Sequence, residues 1–203
     1  IAFLQQERSF DLSGAQSTLQ KLNKDHTAYP GITMEGTLRL GDVFLARGDL
    51  SNAEKEYLLL NRYAGGGDQK ERGVYRLAEI DYFKGNFKEA LKKLRGLTLN
   101  VITDIANDAI KLQVFISDNT TSGDAELKQF AEADFLKRQM KYNDAISAFE
   151  SVVSSFPKTS LIDEVLMNIG DIRLRMHQYD AGVASYEKLI KDFPESLALD
   201  IAL

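Results

Sequence analysis

The sequence has no cysteine, no tryptophan, only two histidines and only three prolines in 203 residues. The missing cysteines exclude disulfides, thiolate metal sites and a cysteine nucleophile together. Scarce proline argues against an all-β chain with frequent turns and favours helix. No apolar run approaches the roughly 20 residues that a membrane span needs; the longest stretches, such as Tyr57 to Leu60, are of core size. Clustered basic charge is missing too, and a net charge of −5 gives no general attraction to phosphate backbones or anionic lipid. The expectation is no nucleic acid partner and no membrane insertion by this segment. The first residue is Ile1 rather than Met, so a leader sequence cannot be judged from it. What remains is ordinary for a folding chain, 44% hydrophobic and 27% charged, and long enough to bury a core unaided.

Internal repetition organises this material. The segments starting at Arg39 and Arg76 align with Gly41 over Ala78, Gly48 over Gly85, Leu50 over Phe87 and Ala53 over Ala90, a shift of 37. Phe130–Pro157 aligns with Met167–Pro194 at the same shift of 37, with Ala133 over Gly170, Tyr142 over Tyr179, Phe149 over Tyr186 and Pro157 over Pro194. Each unit reads as two helices packed as a hairpin. Gly41, Ala78, Ala133 and Gly170 in the first helix, and Ala53, Ala90, Ala145 and Gly182 in the second, let the axes approach closely. Leu50, Phe87, Tyr142 and Tyr179 lie three residues before the second small residue; Tyr57, Leu94, Phe149 and Tyr186 lie four after it. This spacing predicts one core face. Turns are expected at Gly48-Asp49, Gly85-Asn86 and Tyr142-Asn143-Asp144, with Asp, Asn or Ser capping the second helices. Pro157 and Pro194 should stop the second helices.

This pattern resembles the tetratricopeptide repeat family. The family's usual period is about 34, and the additional residues here fall in the stretch between Pro157 and Gly170, which lengthens the first helix. The runs Phe156-Pro157-Lys158-Thr159-Ser160 and Phe193-Pro194-Glu195-Ser196 are similar to the variety found in bacterial cell-envelope proteins, including the Tol-Pal coordinator and outer-membrane assembly lipoproteins. Leu12, Ala15 and Leu19 take second-helix positions, so residues 1–9 read as the remnant of a first helix, and the residues after Pro194 read as the start of another. From Ala78 to Ala133 the interval is 55 residues, 18 beyond one period, which leaves room for one inserted helix at Thr103–Ser117 without repeat signature. The expected organisation is N-terminal hairpins over 1–102, an irregular helix and loop over 103–123 and C-terminal hairpins over 124–203.

Catalytic and cofactor signals are thin. Gly65-Gly66-Gly67 before Asp68 lacks the Gly-Lys-Ser/Thr ending and the preceding strand of a phosphate loop, and reads as a loop between repeats. His26 and His177 form no His-Glu-x-x-His pair, so no metal site is expected. His177 falls where Gly48 and Gly85 make their turns, as an exposed polar residue. No Gly-x-Ser-x-Gly elbow is present. Carboxylate pairs such as Asp163-Glu164 serve as acid and base only when one is buried with a raised pKa. No cofactor is expected.

The resemblance implies an all-α fold: a right-handed α-α superhelix, or α-solenoid, of roughly four helical hairpins. It further implies that ligands contact the inner, first-helix face. The residue after each first-helix small residue is acidic: Asp42, Glu79, Asp134 and Asp171. Leu38, Tyr75, Phe130 and Met167 lie three before the small residue, and Leu45, Tyr82, Lys137 and Leu174 four after it. Together with Arg138 and Arg175, these are the expected peptide-binding residues, an acidic column among apolar anchors suited to a basic and hydrophobic peptide. The competing structural account pairs Asp134 with Arg138 and Asp171 with Arg175 at i, i+4, and packs at least one of Tyr75, Tyr82 and Phe130 as core against the adjacent repeat. The family's carboxylate clamp is not supported, because acids stand where its Asn residues would be. The sequence thus predicts a non-catalytic scaffold for a protein or peptide, in the periplasm or cell envelope by resemblance, with a cytoplasmic adaptor as the alternative. Self-association into a homo-oligomer through terminal helices is the second functional reading. A helical-toroid glycoside hydrolase using paired acids is the remote third.

Overall fold

In a computed structural model of the chain, residues 11–60, 68–98, 104–120 and 123–196 are described. Every regular element among them is a helix: α1 (Leu12–Asp25), α2 (Pro30–Ala46), α3 (Leu50–Leu59), α4 (Asp68–Phe83), α5 (Phe87–Leu97), α6 (Asp104–Asn119), α7 (Ala125–Arg138), α8 (Tyr142–Ser155), α9 (Ile162–Arg175) and α10 (Tyr179–Asp192). The Gly65–Gly67 loop and the two terminal half-repeats lie outside the described residues.

Packing divides the chain into two units, residues 1–117 and 118–203. In the first, α2 pairs with α3 and α4 with α5, α1 packs on α2, and α2 also meets α4. In the second, α7 pairs with α8 and α9 with α10, and α8 packs on α9. Each helix is thus covered mainly by its neighbours in sequence, the near one-dimensional arrangement of an α-solenoid. α6 occupies the interval in which the spacing left room for one helix; its Phe115 ring meets Tyr82 edge-on, with ring centroids 6.4 Å apart.

The small residues lie buried between the paired helices. Ala53, Ala78, Ala90, Ala133 and Ala145 have no accessible surface, and Gly41, Gly170 and Gly182 are buried as well. Tyr57, Leu94 and Phe149 fill the space beside them, each contributing about 1.5–3 kcal/mol by burial.

Four tight turns join the paired helices by one device. Gly48 N–H donates to Leu45 O at 3.0 Å and Asp49 N–H to Phe44 O at 2.9 Å, and the same two bonds recur at Gly85/Asn86, Met140/Lys141 and His177/Gln178. This is the Schellman closure of a helix, and it requires a left-handed residue. Gly48 (φ 80) and Gly85 (φ 72) adopt that conformation freely, whereas Met140 and His177 adopt it at φ 59. The following residue becomes the N-cap of the second helix. Only Asp49 closes that cap with its side chain, accepting from Asn52 N–H at 3.0 Å; Asn86, Lys141 and Gln178 do not.

Two expectations are corrected here. The turn expected at Tyr142-Asn143-Asp144 begins two residues earlier, at Met140-Lys141, and Tyr142 already begins α8. A non-glycine residue in the left-handed position hid it. Tyr179, expected in the core, is 59% exposed. Its counterpart Phe87 packs on Tyr82, but the residue matching Tyr82 in the last hairpin is Leu174. That side chain leans into the space above Gly182, and Tyr179 lies instead against His177, its hydroxyl 2.9 Å from Nδ1.

Candidate functional site

The acidic residues of the first helices lie one step around the helix from the packing stripe, and Asp42 and Asp171 each reach both their own second helix and a neighbouring first helix. In the first unit, Asp42 Oδ1 accepts from Tyr57 Oη at 2.9 Å and from Arg76 Nε at 3.0 Å. Arg76 Nη1 donates to Glu79 at 2.5 Å, so one guanidinium ties α2 to α4 and holds both acids. Burial opposes the charge on Arg76, but Glu79 and Asp42, with Tyr57, outweigh it and raise its pKa above the ordinary value. The guanidinium also stands 5.8 Å from the centre of the Tyr75 ring.

The second unit repeats the arrangement with different cations. Asp171 Oδ1 accepts from Tyr186 Oη at 2.6 Å, while Lys137 Nζ lies 3.5 Å from Asp171 Oδ2 and donates to Asn168 Oδ1 at 2.5 Å. Asn168 Nδ2 in turn donates to Glu164 O at 2.8 Å, which satisfies this buried amide on both sides. Burial, and then the bond to Asp171, pushes the Tyr186 hydroxyl pKa up, so it stays a donor. Burial also raises the pKa of Glu164, aided by Asp163 and Asp134 and opposed by Lys137. Asp163 itself accepts from Ser196 Oγ at 2.6 Å.

A groove of about 350 Å³ opens elsewhere on the second unit, between α8 and α10 with α9 as its floor. Val153, Ile162, Val165, Leu166 and Ile169 make it apolar, and Arg173 and Lys188 line it as cations. Among the described residues no cluster of His, Asp or Glu is arranged to hold a metal ion, and no helix is long and apolar enough to cross a membrane.

A family model described as tetratricopeptide repeat matches residues 164–196, most of α9 and all of α10. These repeats are tetratricopeptide-like. No curated protein matches the chain. The match is to the repeat unit and does not single out the envelope variety.

Within this tetratricopeptide-like framework, the expected site residues separate into three groups. Leu38, Tyr82 and Phe130 are 2%, 2% and 3% exposed and belong to the core, as does Leu45. Residues three before and four after the small residue flank its buried face; at these four positions the side chain turns into the core, whereas Tyr75, Met167, Lys137 and Leu174 at the same register are only partly buried or exposed. Phe130 meets Phe149 edge-on, with ring centroids 5.1 Å apart. Asp42, Glu79, Lys137 and Asp171 are held in the bridges described above, and the expected i, i+4 pair of Asp171 with Arg175 is replaced by Tyr186 and Lys137. Asp134 and Arg138 stand one turn apart on α7, both half-buried. Tyr75 and Met167, half-buried, and Arg175, exposed, remain accessible on the first helices beside Leu174. Sequence reasoning did not single out Arg76 or Asn168. Their signal is combinatorial, since each ties its own helix to a residue on another, Asp42 for Arg76 and Lys137 for Asn168.

Proposed function

We propose that the chain is a non-catalytic protein-interaction scaffold whose first-helix face takes a peptide or protein segment. Tetratricopeptide repeats as a class mediate protein–protein interaction. The observation that carries the reading is the Asp42–Arg76–Glu79 bridge. It fixes acids and cation before any ligand arrives, so the ligand bears most of the ordering cost. Tyr75 beside Arg76 in the first unit, and Met167 and Arg175 on α9 of the second, are the contact residues of this reading. A photo-crosslinking residue placed at Tyr75 or Met167 should trap a protein partner in the source cells, whereas one at the exposed second-helix positions Lys92 or Glu187 should not. Adducts only from the second-helix positions would refute the assignment.

Self-association is a second reading, favoured by Tyr179, Val183 and Ile190, which expose 59%, 50% and 43% of their surface along one face of α10. Light scattering across a concentration series separates the two: a mass that stays monomeric excludes self-association. An envelope location rests on the resemblance of the runs at Phe156–Ser160 and Phe193–Ser196 alone, and fractionation of cells carrying the full-length gene tests it.

A further inference from the structure

The groove on the second unit is independent of the first-helix face. On α9, Ile162, Val165, Leu166, Ile169 and Arg173 follow at i, i+3, i+4, i+7 and i+11, one continuous stripe on the side of the helix opposite Asp171. Val165 and Ile169 are buried at its floor, while Ile162 and Leu166 stay half-exposed. α8 and α10 form the walls. A trough with an apolar helical stripe at its base has the form in which a further helix seats its own apolar face.

The charges define what that helix carries. Arg173 donates from Nη1 to Ala181 O at 3.2 Å and to Ser185 Oγ at 3.0 Å, and Ser185 is itself buried. These bonds fix the guanidinium at the end of the stripe, while among the described residues Nε and Nη2 make no hydrogen bond. Lys188, one turn beyond Ala184 on α10, lines the same groove and makes no ion pair among the described residues. Against them stands one acid, Glu150. The groove is thus locally cationic in a chain whose net charge is −5.

We propose that this groove binds a short amphipathic α-helix of a partner protein, with an apolar stripe and an acidic side chain placed to meet Arg173 and Lys188. A carboxylate there takes charge-assisted hydrogen bonds from a donor already held in place. The apolar stripe covers Ile162 and Leu166.

The test uses the 203-residue chain and two synthetic acetylated helices of about four turns, each with Leu at i, i+3, i+4 and i+7. One carries Glu and the other Lys at the flanking positions. The Glu helix should bind by fluorescence anisotropy and shift the methyl resonances of Ile162, Leu166 and Val153. The Lys helix should bind at least about tenfold more weakly, and Lys188→Glu should reduce the affinity for the Glu helix by about tenfold. Lys188 is exposed, so circular dichroism of the variant should match the parent. Ile162→Glu should abolish binding of the Glu helix. Equal affinity for both helices, no binding, or shifts confined to residues outside the groove would overturn the proposal. So would a concentration-dependent dimer that shifts the groove methyls, since the occupant would then be a second copy. Tyr75 and Met167 are unchanged throughout, so failure here leaves the first-helix reading standing.

Discussion

Tyr186 donates its hydroxyl proton to Asp171 Oδ1 at 2.6 Å, and its ring occupies the space beside Gly170 where a Cβ would come within 2.9 Å. Tyr57, Asp42 and Gly41 make the same arrangement in the first unit. Where the first helix carries Ala instead, as at Ala78 and Ala133, the second helix carries Leu94 and Phe149, which have no hydroxyl. Glycine, aspartate and tyrosine thus act as one set.

That set predicts a compensating pair. Gly170→Ala should destabilise by about 1–3 kcal/mol through overpacking against the Tyr186 ring, despite the better helix propensity of alanine. Tyr186→Leu alone should also destabilise, because it leaves Asp171 without its donor. The double variant reproduces the Ala78–Leu94 combination and should lose less than the sum in a denaturant-unfolding cycle. Simple additivity would contradict the coupling.

The turns predict stabilisation. Met140 and His177 stand at φ 59, where Gly48 and Gly85 stand in the other hairpins. Met140→Gly and His177→Gly should each raise stability by about 0.5–1 kcal/mol, since the left-handed cost exceeds the added entropy of the unfolded chain. Thermal melting of the single variants checks this.

Arg76→Met should cost about 2 kcal/mol, because it leaves Asp42 and Glu79, each only 16% exposed, without their shared cation. Urea titrations of the variant beside the parent measure the loss, and a variant as stable as the parent would contradict the shared-cation role.

Two carboxylates give opposite pH dependences. Burial lifts the folded-state pKa of Glu164 above its ordinary 4.5, so the folded form holds the proton to higher pH than the unfolded chain. Its contribution is complete below the unfolded value and is lost as pH rises through the folded one. Glu164→Gln should therefore stabilise at neutral pH and flatten that slope. Asp49 is held below its ordinary 3.8, first by the Asn52 backbone N–H and then by the Asn52 side chain. Its contribution is present above the unfolded value and lost as pH falls through the lower folded one. Asp49→Ala should cost about 1 kcal/mol at neutral pH, and unfolding curves across the acid range distinguish the two cases.

The hairpins were legible because the signal is local. Small residues such as Ala133 and Gly170, recurring every 37 positions, mark where axes touch, and the helix period places their large neighbours. The period alone did not separate buried Leu38, Tyr82 and Phe130 from accessible Tyr75, Met167 and Leu174, since all lie three before or four after a small residue. Met140 hid its turn because nothing about methionine announces a left-handed backbone. Arg76 and Lys137 were illegible as bridges because their partners Asp42, Asn168 and Asp171 lie on another helix.

By itself, then, the sequence determined the helices, their pairing and the tetratricopeptide-like repeat, because these follow from spacings within about one period. Only the tertiary structure decided that Asp42 and Asp171 of the acidic column belong to interhelical bridges and that a cationic groove opens between α8 and α10. Those features depend on which side chains meet between helices, and a charged residue reads the same in sequence whether it faces solvent or another helix.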